Sequence, residues 1–100
     1  MLRQIVLFAW KPETSPEAVT QCVQAFSALR ATVQEIRSLE WGTDVSVEGL
    51  AHGFTHGFLL SFASEQDRDA FLPHPDHTAF ADLLTPHLEE ILVFDFVPHD

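Results

Sequence analysis

The sequence is poor in cysteine and in basic residues, and it has no long apolar run. Its single thiol, Cys22, cannot form an intramolecular disulfide, which agrees with a reducing compartment. No stretch approaches the ~20 consecutive apolar residues that a membrane-spanning helix needs. Five basic residues against fifteen acidic ones give a formal net charge of −10, which repels phosphate backbones and anionic lipid surfaces. We therefore expect neither nucleic acid nor a membrane as a partner, and we predict a cytoplasmic protein.

Several familiar motifs are also missing. The chain has no glycine-rich phosphate loop, no CxxC pair and no ordered Ser/His/Asp set. What it does have is core-forming material, because 46% of its residues are hydrophobic and nine are phenylalanine. That is enough to fill the core of one compact domain. We expect a single domain over residues 1–100, without a cofactor.

Local patterns predict the element order β-α-β-β-α-β. Ser15 before Pro16, and Ser64 three residues before Asp67, are typical N-terminal helix signals. Apolar residues from Val19 to Ile36 recur in steps of three and four, which predicts one helical stripe. The remaining apolar or alternating runs predict strands over about 4–10, 37–46, 54–63 and 91–97, and helices over about 65–72 and 76–84. This order is that of the ferredoxin-like α+β fold, a four-stranded antiparallel sheet with helices on one face.

This architecture predicts that one face of the sheet is left bare. Helices cover one side, yet the strands at 4–10, 54–63 and 91–97 are apolar on both sides. An apolar face of this size needs a cover, and a second copy of the chain is the simplest one. We predict a homodimer through the sheet face, which would form a dimeric α/β barrel.

The segment FLPHPDHTAF (71–80) places two histidines three positions apart. It can be a turn between helices, with Pro75 fixing the turn and Asp76 as the N-cap. The segment can also position His77 as a general base facing a cavity, because a neutral imidazole can take a proton from a carbon flanked by carbonyls. A backbone carbonyl or Asp76 would then hold the tautomer, with Asp76 the weaker choice since adjacent residues on a helix face apart.

The two histidines of this segment could also be considered as metal ligands. His74 and His77 lack evident further ligands, although His56 or Asp95 could approach, and we expect no metal.

Two polar residues, His56 and Asp95, lie on apolar strand faces. They are either pocket residues with shifted pKa values, or a hydrogen-bonded core histidine and an aspartate that caps a loop.

A binding pocket, if the chain has one, is expected between the sheet and the helices and not in the dimer interface. Its wall would be aromatic and mostly apolar, which suits a small hydrophobic or carbonyl ligand. The same residues would also fill an ordinary core, so the sequence leaves an open and a filled interior as alternatives. The predicted lining is Gln4, Val6, Phe8, Trp10, Phe26, His56, Phe58, Leu60, Phe71, His77, Val93 and Asp95.

Four segments carry a resemblance to a known family: WGTDVS (41–46), GFTHGFLLSF (53–62), F-x-x-HPDH (71–77) and ILVFDFVP (91–98). In this order and spacing the chain resembles the stress-responsive A/B barrel domain (Dabb) family of the dimeric α/β-barrel superfamily. The HPxH element is the most specific part of the resemblance, which covers nearly the whole chain. It implies a ferredoxin-like homodimer.

One enzymatic branch of that family is similar to plant polyketide cyclases, which close a linear poly-β-ketone by an intramolecular aldol condensation without a cofactor. The resemblance implies that His77, the second histidine of HPxH, acts as the base. A first-strand histidine of that branch is Gln4 here, and a tyrosine is Phe71. Glutamine can hydrogen-bond a substrate carbonyl but cannot titrate, and phenylalanine can do neither.

Three functions therefore stay open. The first is cofactor-free proton transfer on a carbonyl compound, with His77 as base and Gln4 or His56 orienting the substrate. The second is a non-catalytic, stress-associated dimer that binds a small hydrophobic ligand. The third, by fold analogy alone, is a cofactor-free or haem-linked oxygenase.

Overall fold

A computed structural model describes all of residues 1–100. Its four strands form one sheet in the order β2-β3-β1-β4, with every neighbouring pair antiparallel. This confirms the predicted ferredoxin-like fold. No helix of the chain has the length and apolar character to cross a bilayer. The elements are β1 (Leu2–Trp10), α1 (Pro16–Thr32), β2 (Ile36–Thr43), β3 (His56–Phe62), α2 (Glu65–Phe71), α3 (Pro75–Leu84), a 3-10 turn (Thr85–His87) and β4 (Leu88–Phe96).

Side-chain caps start α1 and α2 at the predicted residues. The hydroxyl of Ser15 accepts a hydrogen bond from the backbone N–H of Ala18 at 3.1 Å, and Pro16 occupies the first helical turn. The hydroxyl of Ser64 accepts from the N–H of Asp67, also at 3.1 Å. Each cap satisfies a backbone donor that has no partner inside the helix, an effect of about 0.5–2 kcal/mol.

The predicted helical stripe is wrong beyond residue 32. Val33 is extended and caps α1 by donating its N–H to the carbonyl of Leu29, and Ile36 begins β2. Both side chains are buried, so the apolar spacing continues across the turn although the helix does not. Val45, predicted in the second strand, lies beyond its end and is 88% exposed.

The core lies between the sheet and the helices. Phe26 of α1 is its centre, because its ring stacks on Phe58 of β3 at 4.4 Å and on Phe80 of α3 at 4.6 Å. The strand residues that face the helices are in register across the sheet, with Val6 of β1 opposite Phe58. Stacked aromatic pairs of this kind stabilise the fold beyond the area that they bury.

The opposite face of the sheet is apolar and uncovered by this chain. Ile5 at its centre lies between Leu59 of β3 and Phe94 of β4, and Leu7 is opposite Leu92. Phe94 is 57% exposed. A contiguous apolar face of this kind is typical of a protein–protein interface.

Candidate functional site

A cavity of about 610 Å³ opens between the helix-facing side of β1 and β4 and helix α3. Val93 is opposite Val6 in the sheet and therefore faces the helices, yet it is 54% exposed. The helices thus leave the β4 side of the sheet uncovered, and the interior is open there. The volume lies within the range of about 300–1,000 Å³ typical of small-molecule sites.

The cavity wall contains only part of the predicted lining. Gln4, Val6, Phe8, Phe26, His77 and Val93 line it. Three other predicted residues, Phe58, Leu60 and Phe71, are buried in the core without reaching it. Trp10, His56 and Asp95 also lie outside the wall. Of the predicted polar residues, the structure thus brings Gln4 and His77 together around one space and leaves His56 and Asp95 elsewhere.

The turn between α2 and α3 positions His77. Pro75 occupies the first turn of α3, and the N-cap is His74, whose Nδ1 accepts from the N–H of Asp76 at 3.1 Å. The prediction that Asp76 is the cap is therefore wrong. The extended backbone at His74 brings its imidazole back over the first helical N–H groups, which leaves Asp76 without that role.

A backbone carbonyl fixes the tautomer of His77. Its Nδ1 lies 2.9 Å from the carbonyl oxygen of Leu72. Because a carbonyl oxygen only accepts, Nδ1 carries the proton and Nε2 of the neutral ring is an unprotonated acceptor. Of the two partners considered from the sequence, the carbonyl is the one found. The arrangement gives the cavity wall a nitrogen that can take a proton.

Gln4 supplies a further polar group of the wall. The residue is only 4% exposed, and it lines the cavity. A side-chain amide beside a cavity can both donate to and accept from a ligand. A carbonyl oxygen in the cavity would accept from its N–H groups.

The mouth of the cavity was not predicted from the sequence. Glu89 and Glu90 line it, together with Leu88. The ladder between β1 and β4 pairs Ala9 with Glu90 and Trp10 with Leu88, so Glu89 is an extra, unpaired residue in a bulge. The sequence predicted that the last strand begins at residue 91, whereas β4 begins at Leu88. No local sequence pattern indicates this earlier start or the bulge.

His56 is enclosed by tryptophans at one end of the sheet. Its Nδ1 accepts from the indole N–H of Trp10 at 3.1 Å, and Trp41 lies parallel to the imidazole with ring centroids 6.2 Å apart. The hydroxyl of Thr55 is 2.9 Å from the same nitrogen. Burial lowers the pKa of His56. These contacts favour the structural interpretation of His56, as a neutral, hydrogen-bonded histidine.

Asp95 links β4 to α2 and does not cap a loop, so that expectation is wrong. Its Oδ2 accepts from Nη1 of Arg68 at 2.8 Å, while Oδ1 is buried without a partner. The carboxylates of Asp69 and Asp95 raise the pKa of the Arg68 guanidinium. The partner comes from 27 residues earlier in the chain, a distance that no local pattern reveals.

Two other candidate groups stay outside the site. No group of three His, Cys, Asp or Glu side chains lies close enough together to hold a metal ion. Cys22 is buried in the core, and burial raises the pKa of its thiol. A buried thiol with a raised pKa acts as a small hydrophobic side chain and not as a nucleophile.

Two curated plant proteins are similar over nearly the whole chain. The stress-response A/B barrel domain-containing protein HS1 of Arabidopsis thaliana is 30% identical over 97 residues, which cover 97% of this chain and 89% of that protein. The olivetolic acid cyclase of Cannabis sativa is 23% identical over 97 residues, which cover 97% of this chain and 96% of the cyclase.

Two solved structures agree with the fold, and one of them is described as dimeric. The hydroxynitrile lyase of Passiflora edulis superposes with a TM-score of 0.93 at 30% identity, over 99% of this chain and 94% of that one. A protein from Thermobifida fusca, described as a dimeric ferredoxin-like protein of unknown function, gives a TM-score of 0.81 at 30% identity, over 97% and 90% of the two chains.

A family model settles the classification, which the HPxH element and the strand segments had suggested. The model described as the Stress Responsive A/B Barrel Domain matches residues 2–98. The fold, the sequence relatives and the solved structures agree with that match. The chain therefore belongs to the stress-responsive A/B barrel domain, or Dabb, family.

Proposed function

We propose that this Dabb protein is a homodimer in which each cavity binds an apolar carbonyl compound and transfers a proton without a cofactor. The observation that carries the proposal is the state of His77 at the cavity wall. Its Nδ1 is bound to the Leu72 carbonyl, which leaves Nε2 free to act as a base. General bases placed in this way contribute about 10²–10⁴-fold to a rate.

Binding would place the ligand between the apolar wall and the side chains of Gln4 and His77. Its hydrocarbon part is removed from water against Val6, Phe26 and Val93. The carbonyl oxygen accepts a hydrogen bond from the side-chain amide of Gln4, which lines the cavity. The carbon next to that carbonyl then lies within reach of the imidazole.

The proton transfer uses this chain's own residues. Nε2 of His77 takes a proton from the carbon next to the carbonyl, the C–H electron pair forms a double bond to the carbonyl carbon, and the π pair of the carbonyl moves onto its oxygen. The products are an enolate, stabilised by the amide N–H of Gln4, and an imidazolium, whose Nδ1–H remains bound to the Leu72 carbonyl. Return of a proton to carbon regenerates the neutral ring.

Two relatives support a catalytic role over a purely structural one. One is named as a cyclase and another as a hydroxynitrile lyase, so enzymes occur among the proteins that share this fold and family resemblance. Solved neighbours described as dimeric support the homodimer, with the apolar outer face of the sheet, around Ile5 and Phe94, as its interface.

Hydrogen–deuterium exchange of phenylacetone, an uncharged ketone with an activated methylene group, tests the proposal. We expect the wild-type protein in D₂O to catalyse exchange at that carbon, followed by proton NMR. His77→Gln should lower the rate by about 100-fold. His99→Gln is the matched control, because His99 is exposed and lies outside the cavity.

Two results would separate the alternatives. Phenylacetone that binds without any catalysed exchange would support the non-catalytic ligand-binding dimer. Exchange that is equally fast in wild-type protein and His77→Gln would contradict the role of His77 as the base.

A further inference from the structure

The charged residues at the cavity mouth are all acidic. Glu89 and Glu90 line it, and no lysine or arginine does. Of the chain's five basic residues, Arg68 is bound to Asp95 and Arg30 to the carbonyl of Arg37. The cavity lining therefore offers a ligand two carboxylates, one imidazole, one amide and the hydroxyl of Thr85, with no lysine or arginine to pair with an anion.

A bulge in β4 accounts for the position of Glu89 at this rim, whereas Glu90 stays paired with Ala9. In a regular strand, neighbouring side chains point to opposite faces of the sheet. The ladder leaves Glu89 unpaired between Leu88 and Glu90, and a bulge of this kind redirects a side chain. Bulges are common beside active sites, where they serve this purpose.

The start of α3 does not offset the acidic rim. A helix N-terminus attracts anions through its free N–H groups. Here the first turn carries the carboxylate of Asp76, and the N–H of Asp76 is already bound to His74. The whole chain, with a net charge of −10, adds to the negative potential at the mouth.

We infer that Glu89 and Glu90 make the cavity select uncharged ligands over carboxylates and phosphates of the same shape. This inference rests on the proposed function and narrows its substrate class to neutral carbonyl compounds. Gln4 provides the complementary half of the selection, because a neutral amide suits a carbonyl oxygen and cannot neutralise an anion. The two glutamates thus act as specificity-determining residues.

Three probes of nearly equal shape test the selection: phenylacetone and phenylacetamide, which are uncharged, and phenylacetate, which is an anion. We expect isothermal titration at low salt to give a dissociation constant for phenylacetate that is at least about tenfold larger than those of the two uncharged probes. This ratio corresponds to about 1.4 kcal/mol of binding free energy. The difference should shrink as salt is added, because the rim is exposed to solvent.

Two double variants separate the effect of the rim carboxylates on ligand binding from the effect of the net charge. Glu89→Gln/Glu90→Gln should reduce the difference in dissociation constant between phenylacetate and phenylacetamide. Glu17→Gln/Glu48→Gln changes the net charge equally at exposed positions outside the cavity, and it should leave the difference intact. Both pairs keep the side-chain size close to that of glutamate.

The outcomes distinguish this inference from the proposed function. Phenylacetate that binds wild-type protein as well as phenylacetamide, or a difference that the rim variant leaves unchanged, would overturn the selection while the cavity still binds ligands. If none of the three probes binds, the proposed function fails, and the selection fails with it.

Discussion

The ring of Phe71 packs on the imidazole of His77, with centroids 4.4 Å apart. The next residue, Leu72, provides the carbonyl that holds Nδ1 of the same imidazole. Two consecutive residues at the end of α2 thus fix both the plane and the tautomer of the ring. Phe71 is buried outside the cavity wall, so it contributes packing where the cyclase branch of the family has a tyrosine hydroxyl.

Replacing Phe71 with leucine should loosen the imidazole without changing the cavity wall. We expect Phe71→Leu to slow phenylacetone exchange by about tenfold in kcat, because base catalysis depends on orientation. KM should stay unchanged, since the residue does not line the cavity. Steady-state exchange rates measure both. An unchanged kcat, in a variant shown by circular dichroism to be folded, would contradict a positioning role.

Filling the cavity should abolish binding while the fold is retained. Val93→Phe puts a large ring into the space beside His77, and the partial exposure of Val93 lets the ring fit. We expect a change of less than about 1 kcal/mol in the free energy of unfolding. Isothermal titration with phenylacetone checks the loss of binding. Val97→Phe, the same change at an exposed position outside the cavity, is the control, and equal losses in both variants would contradict the site.

A charge on the bare sheet face should separate the proposed dimer. Phe94→Glu places a carboxylate on that face beside Ile5 and, by two-fold symmetry, a second one on the same face of the partner subunit. Burying unpaired like charges costs several kcal/mol, so sedimentation velocity should show a monomer. Val47→Glu, on the exposed β2–β3 connection, should stay dimeric. A dimeric Phe94→Glu variant would place the interface elsewhere.

His56 should make stability depend on pH below neutrality. Burial lowers its pKa in the folded state below the ordinary value of about 6.5. The unfolded chain therefore binds more protons between the two values, and the free energy of unfolding falls as the pH is lowered through that window. The stabilisation is fully present above about pH 6.5.

Urea unfolding between pH 5 and 8, followed by tryptophan fluorescence, measures this dependence. His56→Gln retains an acceptor for the indole N–H of Trp10 but cannot titrate. The difference between wild type and variant isolates this group from the other histidines. A difference that does not vary with pH would contradict the assigned pKa shift.

Much of the fold follows from local sequence signals. Ser15 and Ser64 mark helix starts because each side chain bonds a backbone N–H only three residues away. The alternation in β3 fixes which residues face the helices, because side chains of a strand alternate between faces. Such signals need no knowledge of distant residues.

The missed features depend on residues far apart in the chain. Val33 and Ile36 keep helical spacing across a turn, and only packing in the core shows that the helix has ended. Asp95 pairs with Arg68 of another element, and the bulge at Glu89 follows from its register with β1. The open cavity depends on the distance between α3 and β4, which no periodicity encodes.

The tautomer of His77 in the ligand-bound protein tests the central claim most directly. Long-range ¹H–¹⁵N spectra of ¹⁵N-histidine-labelled protein, compared with those of His77→Gln, identify the two ring nitrogens. We predict a protonated Nδ1 and an unprotonated Nε2 whose resonance shifts when phenylacetone is added. An unprotonated Nδ1, or an Nε2 resonance that saturating phenylacetone leaves unchanged, would contradict the account.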